Sequence, residues 1–78
     1  MYVDIKDKIK RKELLFLLEK KCYKYKGFKR DTIINSELPI HIYTSTKEIG
    51  MIGSANILKV QKIKYTNYDK VIDLINKK

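Results

Sequence analysis

The stretch Lys10-Arg11-Lys12-Glu13-Leu14-Leu15-Phe16-Leu17-Leu18-Glu19-Lys20-Lys21 runs without interruption into Cys22-Tyr23-Lys24-Tyr25-Lys26-Gly27-Phe28. The first dozen residues lack Gly, Pro and β-branched side chains, and Leu, Lys and Glu are good helix formers. Leu14, Leu15 and Leu18 share one helical face with Arg11, and Leu17 widens it. At Cys22 the period changes from that of a helix to that of a strand. Tyr23 and Tyr25 project to one side, Cys22, Lys24 and Lys26 to the other. A strand with an aromatic and a basic face is expected, bent or broken at Gly27. A helix leading directly into a strand, in so short a chain, argues for the α+β class.

Working outward, Tyr2-Val3-Asp4-Ile5-Lys6 suits a short first strand, with a frayed helix start as the alternative. Residues 29–38 read as a connection that holds a short strand at Thr32-Ile33-Ile34. Pro39 is tolerable at a strand start, and Ile40-His41-Ile42-Tyr43-Thr44 alternates cleanly. Ser45 to Gly50 has turn chemistry. Met51 to Tyr65 reads as one bent strand or two joined ones, with Gly53 suited to a bulge. Thr66-Asn67-Tyr68-Asp69 has capping-box spacing with Asp in place of Glu. Tyr68, Val71, Ile72 and Ile75 then mark an amphipathic C-terminal helix, and Lys77 and Lys78 suit its negative end. The order β-α-β-(β)-β-β-α predicts a single domain over residues 1–78: a small curled mixed β-sheet with two flanking helices.

Composition narrows the chemistry. The chain has 78 residues and a formal net charge of +9. With one cysteine, Cys22, no intrachain disulfide is possible and no disulfide-linked partner is expected. One histidine, His41, rules out a Cys/His zinc arrangement, and the nine acids are scattered, so neither a metal nor a cofactor is expected. No signal peptide is evident. The longest apolar run, Leu14 to Leu18, is a quarter of the ~20 residues that span a bilayer. A cytoplasmic protein without a membrane partner is expected.

The charge is not spread evenly. Residues 6–30 carry eleven Lys or Arg against Asp7, Glu13 and Glu19, a net +8, whereas residues 31–58 are net −2. Sixteen lysines against two arginines also suggest a coding bias that inflates the total. Concentrated positive potential attracts phosphate backbones. Nucleic-acid surfaces combine such cations with aromatic faces on which bases stack, and unpaired bases expose edges that polar side chains read. The candidate binding residues are therefore Lys6, Lys21, Tyr23, Lys24, Tyr25, Lys26, Lys29 and Arg30. Tyr43, Ser45, Thr46 and Lys47 join them from the second half, with RNA preferred over DNA as partner. The competing reading has Tyr23 and Tyr25 packed inward while the lysines merely face water. His41 is assigned no role, and Cys22 is expected to be a buried, inert thiol. No residue is assigned a catalytic role.

Three stretches taken together resemble the ASCH family of the PUA-like superfamily. They are Asp4-Ile5-Lys6-Asp7, Glu19 to Lys26, and Ile40 to Thr46 continuing through Met51-Ile52-Gly53. That family has a first strand ending in an Ile-Lys-Pro-like turn and a helix followed by Gly-x-Lys-x-x-Glu-x-Arg. A strand ending in small hydroxyl residues and an apolar-apolar-Gly strand come next. Lys21 falls on the family's lysine. Asp7 stands for the proline, Glu19 for the glycine, Lys24 for the acid and Lys26 for the arginine. The resemblance implies a PUA-like pseudo-barrel that binds RNA or a modified nucleotide in a cleft beside the first helix. It also implies an alternative, an RNA- or nucleoside-directed hydrolase using Lys21, Thr44 or Thr46, and an acid. Lys24 occupies the acid's place, and the nearest substitute, Glu48, lies in an expected turn. A third possibility, independent of the resemblance, is a mobile-element or phage protein whose basic face docks on an acidic host protein.

Overall fold

Asp7 starts the first helix. Its backbone is extended, and its carboxylate accepts a hydrogen bond from the Ile9 amide at 2.9 Å, the geometry of an N-cap. The position where the resembled family has proline thus holds a capping residue. The helix α1 (Lys8–Lys20) ends in a Schellman motif. The amide of Tyr23 donates to Leu18 O at 3.0 Å and that of Cys22 to Glu19 O at 3.1 Å. Glycine usually occupies the left-handed position of this motif, but here Cys22 does, with φ 70°. The reversal turns Tyr23 into the core, 7% exposed, and leaves the Cys22 thiol at the surface rather than buried as expected.

This placement has a measurable consequence. A non-glycine residue in the left-handed region costs about 1–2 kcal/mol, and glycine gives back about 0.5–1 through its unfolded-state freedom. Cys22→Gly is therefore expected to stabilise the domain by about 0.5–1 kcal/mol, seen as a higher urea midpoint at unchanged m-value. A lowered midpoint would contradict the strain account.

The structure, a computed structural model, describes residues 1–51 and 64–77. Besides α1 it contains β1 (Tyr2–Val3), β2 (Lys24–Tyr25), α2 (Arg30–Asn35), β3 (Ile40–Tyr43), β4 (Glu48–Met51) and α3 (Tyr68–Asn76). The strands form one mixed sheet in the order β1-β3-β4-β2. β3 and β4 make a hairpin through Thr44–Lys47, with Lys47 at φ 56° closing the turn. β1 pairs antiparallel with β3, and β2 runs parallel to β4. Val3, Ile40, Ile42 and Ile49 face one side and are buried there under Leu14, Leu15 and Leu18 of α1. Ile33 of α2 and Val71 and Ile75 of α3 complete that core. Tyr2, His41, Tyr43 and Lys24 alternate with these residues and so belong to the opposite face.

Arg11 is the one charged side chain in the core among the described residues and is fully buried. Its guanidinium bonds to backbone carbonyls: Nε to Ile33 O at 2.8 Å, and Nη1 to Ile5 O at 2.9 Å and Leu38 O at 3.0 Å. Nη2 donates to Ile33 O as well and approaches the sulfur of Met51 at 3.9 Å. All five donors are directed at acceptors, so one side chain ties together α1, α2 and the segments on either side. Burial lowers its pKa, and the nearby charge of Asp4 opposes that.

Several expectations change. Thr32-Ile33-Ile34 lies in a helix, not a strand, which makes three helices among the described residues. Its β-branched residues favour a strand locally, but burying Ile33 beneath α1 while its carbonyl receives Arg11 overrides that preference. The strand expected over Cys22–Phe28 shrinks to Lys24–Tyr25, bounded by left-handed Cys22 and Gly27 (φ 77°). Glu48 to Gly50 belong to β4, not to a connection. The cap of α3 is Asn67, which accepts from the Asp69 amide at 2.8 Å, instead of Thr66. Most of the extended stretch expected over Met51–Tyr65, with Gly53, lies outside the described residues, as does Lys78. Among the described residues the domain is a small mixed α+β unit whose four-stranded sheet does not close into a barrel. No described helix is long and apolar enough to cross a membrane.

Candidate nucleic-acid interface

The Schellman turn, the β3–β4 turn and α3 enclose a cleft of about 300 Å³. Lys21 enters from the end of α1, Thr44 and Lys47 from the hairpin turn, and Leu74 and Ile75 from α3. Tyr23 and Ile75, both nearly buried, provide an apolar floor. Among the described residues no carboxylate lines the cleft, and neither Lys21 nor Lys47 has an ion-pair partner. Two lysine ammonium groups and a hydroxyl beside apolar side chains, with Met1 also on the wall, suit an anionic ligand that carries a flat ring, in a space at the small end of ligand pockets. Glu48 lies in β4 opposite Tyr43 and does not line this cleft, so a lysine–threonine–acid arrangement lacks its acid here.

The opposite sheet face carries a second feature. The rings of Tyr2 and His41 stack with centroids 4.1 Å apart and planes at 20°, and His41 meets Tyr43 at 3.8 Å and 37°. Lys26 Nζ sits 4.9 Å from the centroid of the Tyr43 ring, a cation–π distance. Gly50 lies against the Tyr43 ring: a Cβ there would stand 3.4 Å from Cε2, an ordinary contact distance. The sequence pattern assigns His41 no role and does not single out Tyr2. The i, i+2 spacing of His41 and Tyr43 was a visible signal, but the β1 register that brings Tyr2 beside them was not.

Burial, and then the charges of the N-terminal amine and Lys26, lower the His41 pKa from 6.5. The unfolded chain therefore binds more protons than the folded one between the folded value and 6.5. Stability from this site is complete above 6.5 and is lost as pH falls from there through the folded value. Urea melts at pH 7.5 and 5.5 are expected to show the domain less stable at the lower pH. His41→Gln should shrink that difference; an unchanged difference would exclude His41 as its source.

The remaining candidates are distributed as follows. Tyr23 and Tyr25 pack inward, so neither ring is free to stack on a base; Tyr25 lies against the core and Tyr23 within it. The Tyr25 hydroxyl is buried without a hydrogen-bond partner among the described residues, and burial, reinforced by Glu19, pushes its pKa up to about 12. Lys29 and Arg30 border a separate open depression with Glu19 and Phe28, where Arg30 pairs with Glu19 at 3.5 Å. Lys6 is engaged by Asp4 at 3.4 Å and by the carbonyl of Glu37 at 3.0 Å. Ser45 and Thr46 are exposed at the turn and line neither feature. Lys24 is exposed, opposite Glu48. The structure thus brings Lys21, Thr44 and Lys47 together in one place and Lys26 and Tyr43 in another.

No protein-family model matches the chain, no curated protein matches it, and no solved structure matches it.

Proposed function

We propose that this chain is a small RNA-binding module of the ASCH type, with a PUA-like pseudo-barrel as its finer architecture. It holds one nucleotide of an unpaired segment in the cleft at the end of α1. The observation that carries this reading is the meeting of Lys21, Lys47 and Thr44 above an apolar floor with no carboxylate among them. Ammonium groups take the phosphate, the hydroxyl adds a hydrogen bond, and Leu74, an exposed apolar side chain on the cleft wall, gives the base an apolar contact. The resemblance places a lysine and a threonine in such a cleft, and Lys21 and Thr44 are the matching pair. The missing acid favours binding over hydrolysis. Lys8, Lys10, Lys12, Lys20, Lys24 and Lys29 remain exposed and supply the long-range attraction.

The test is fluorescence anisotropy of a labelled single-stranded RNA decamer over a salt series. Each phosphate neutralised on a single strand contributes about −0.7 to the slope of log K against log salt. With about three to five phosphates engaged, affinity is expected to fall about 10- to 100-fold between about 50 and 200 mM salt. Binding that is absent, or insensitive to salt, overturns the reading. Turnover of RNA or of a modified nucleoside would support the hydrolase instead.

A further inference from the structure

We infer that the Tyr43 end of the Tyr2–His41–Tyr43 column is a stacking subsite for a second, unpaired base adjacent to the nucleotide in the cleft. The inference rests on the RNA-binding reading and adds a footprint to it. Tyr2 and His41 are stacked and Tyr43 continues the row at a tilt of 37°, with centroid spacings of 4.1 and 3.8 Å. A base is a flat ring that can extend such a column by one layer, and base–aromatic stacking is tolerant of sequence. At the Tyr43 end the occupant of that layer is the Lys26 ammonium, 4.9 Å from the ring centroid. A long, exposed lysine is easily displaced, and when it swings aside its charge is close to where the phosphate of the stacked nucleotide would lie.

Two further features favour this occupant. Tyr43, on the outer sheet face, is followed directly by Thr44, which lines the cleft from the hairpin turn, so a strand leaving the cleft passes round the end of the hairpin to reach Tyr43. Lys24 and Lys26 give this edge of the sheet two cations against the single carboxylate of Glu48. A duplex, whose bases are already stacked and paired, has no free base to offer.

The experiment compares wild type with Tyr43→Ala, Tyr43→Leu and Tyr43→Phe, using the labelled single-stranded decamer and a duplex of the same length. Tyr43→Ala and Tyr43→Leu are expected to weaken single-strand binding about 5- to 30-fold, the lower part of the range for loss of one stacked base. The salt slope should not change, because no phosphate contact is removed. Duplex binding should be unaltered, and Tyr43→Phe should restore wild-type affinity. Tyr43→Leu keeps the apolar bulk if the alanine variant fails to fold. Wild-type affinity in a folded Tyr43→Leu, alongside salt-dependent binding by the wild type, overturns the stacking subsite and leaves the RNA-binding module intact. A wild type that binds no RNA overturns both.

Discussion

Arg11→Ala is expected to lose about 3–5 kcal/mol of folding stability, out of a total of about 4–12 kcal/mol for a chain of this length. Two losses combine. The carbonyls of Ile5, Ile33 and Leu38 lose the donors that satisfy them inside the fold, and an unsatisfied buried acceptor costs about 1–3 kcal/mol. The truncated side chain also leaves a cavity between α1 and α2. Arg11→Met separates the two, since it fills most of the volume while leaving the carbonyls without donors. Urea denaturation should place Arg11→Met between wild type and Arg11→Ala. Replacing a buried charge by an apolar group is often harmless when its partner is replaced as well. Here the partners are main-chain carbonyls that no substitution removes. An Arg11→Met variant as stable as wild type would show that the carbonyl cradle contributes nothing.

The second large effect is expected on binding. Removing both cleft ammonium groups in Lys21→Ala/Lys47→Ala should weaken single-stranded RNA binding about 60-fold at about 50 mM salt, and reduce the salt slope by about 1.4. Both figures come from two lost phosphate contacts on a single strand. The control is a double substitution of Lys8 and Lys12, exposed on α1 and outside the cleft. If the cleft organises binding, the control should lose clearly less affinity than the cleft variant. Equal losses would mean a diffuse electrostatic surface without a specific subsite. Lys21 also caps α1 through its own backbone amide, a bond the alanine variant keeps, so a change in fold is not expected to mimic the binding defect.

Much of the fold is legible in particular residues. Leu14, Leu15 and Leu18 repeat at helical spacing and are fully buried, and Arg11, on the same face, is buried with them. Val71 and Ile75 mark the inner face of α3, and Ile40 and Ile42 that of β3. The candidate site was legible in part. Lys21 and Lys47 were visible as cations, but that they share a cleft follows from the hairpin turn folding over the end of α1. Tyr23 and Tyr25 were visible as an aromatic pair, yet the rings on the sheet's outer face proved to be Tyr2, His41 and Tyr43.

Short-range pattern therefore settled the α+β class, the two main helices, the β3 alternation and the concentration of charge in residues 6–30. Each depends on residues within a turn or two of one another, so local spacing is sufficient to express it. Tertiary structure decided the rest. The left-handed Cys22 carries no glycine to announce it, and it is what sends Tyr23 inward. The helix at Thr32–Ile34 exists because Ile33 is needed beneath α1 and its carbonyl beneath Arg11. The Tyr2–His41–Tyr43 column depends on a strand register between residues far apart in sequence, and such a pairing leaves no periodic trace in either segment.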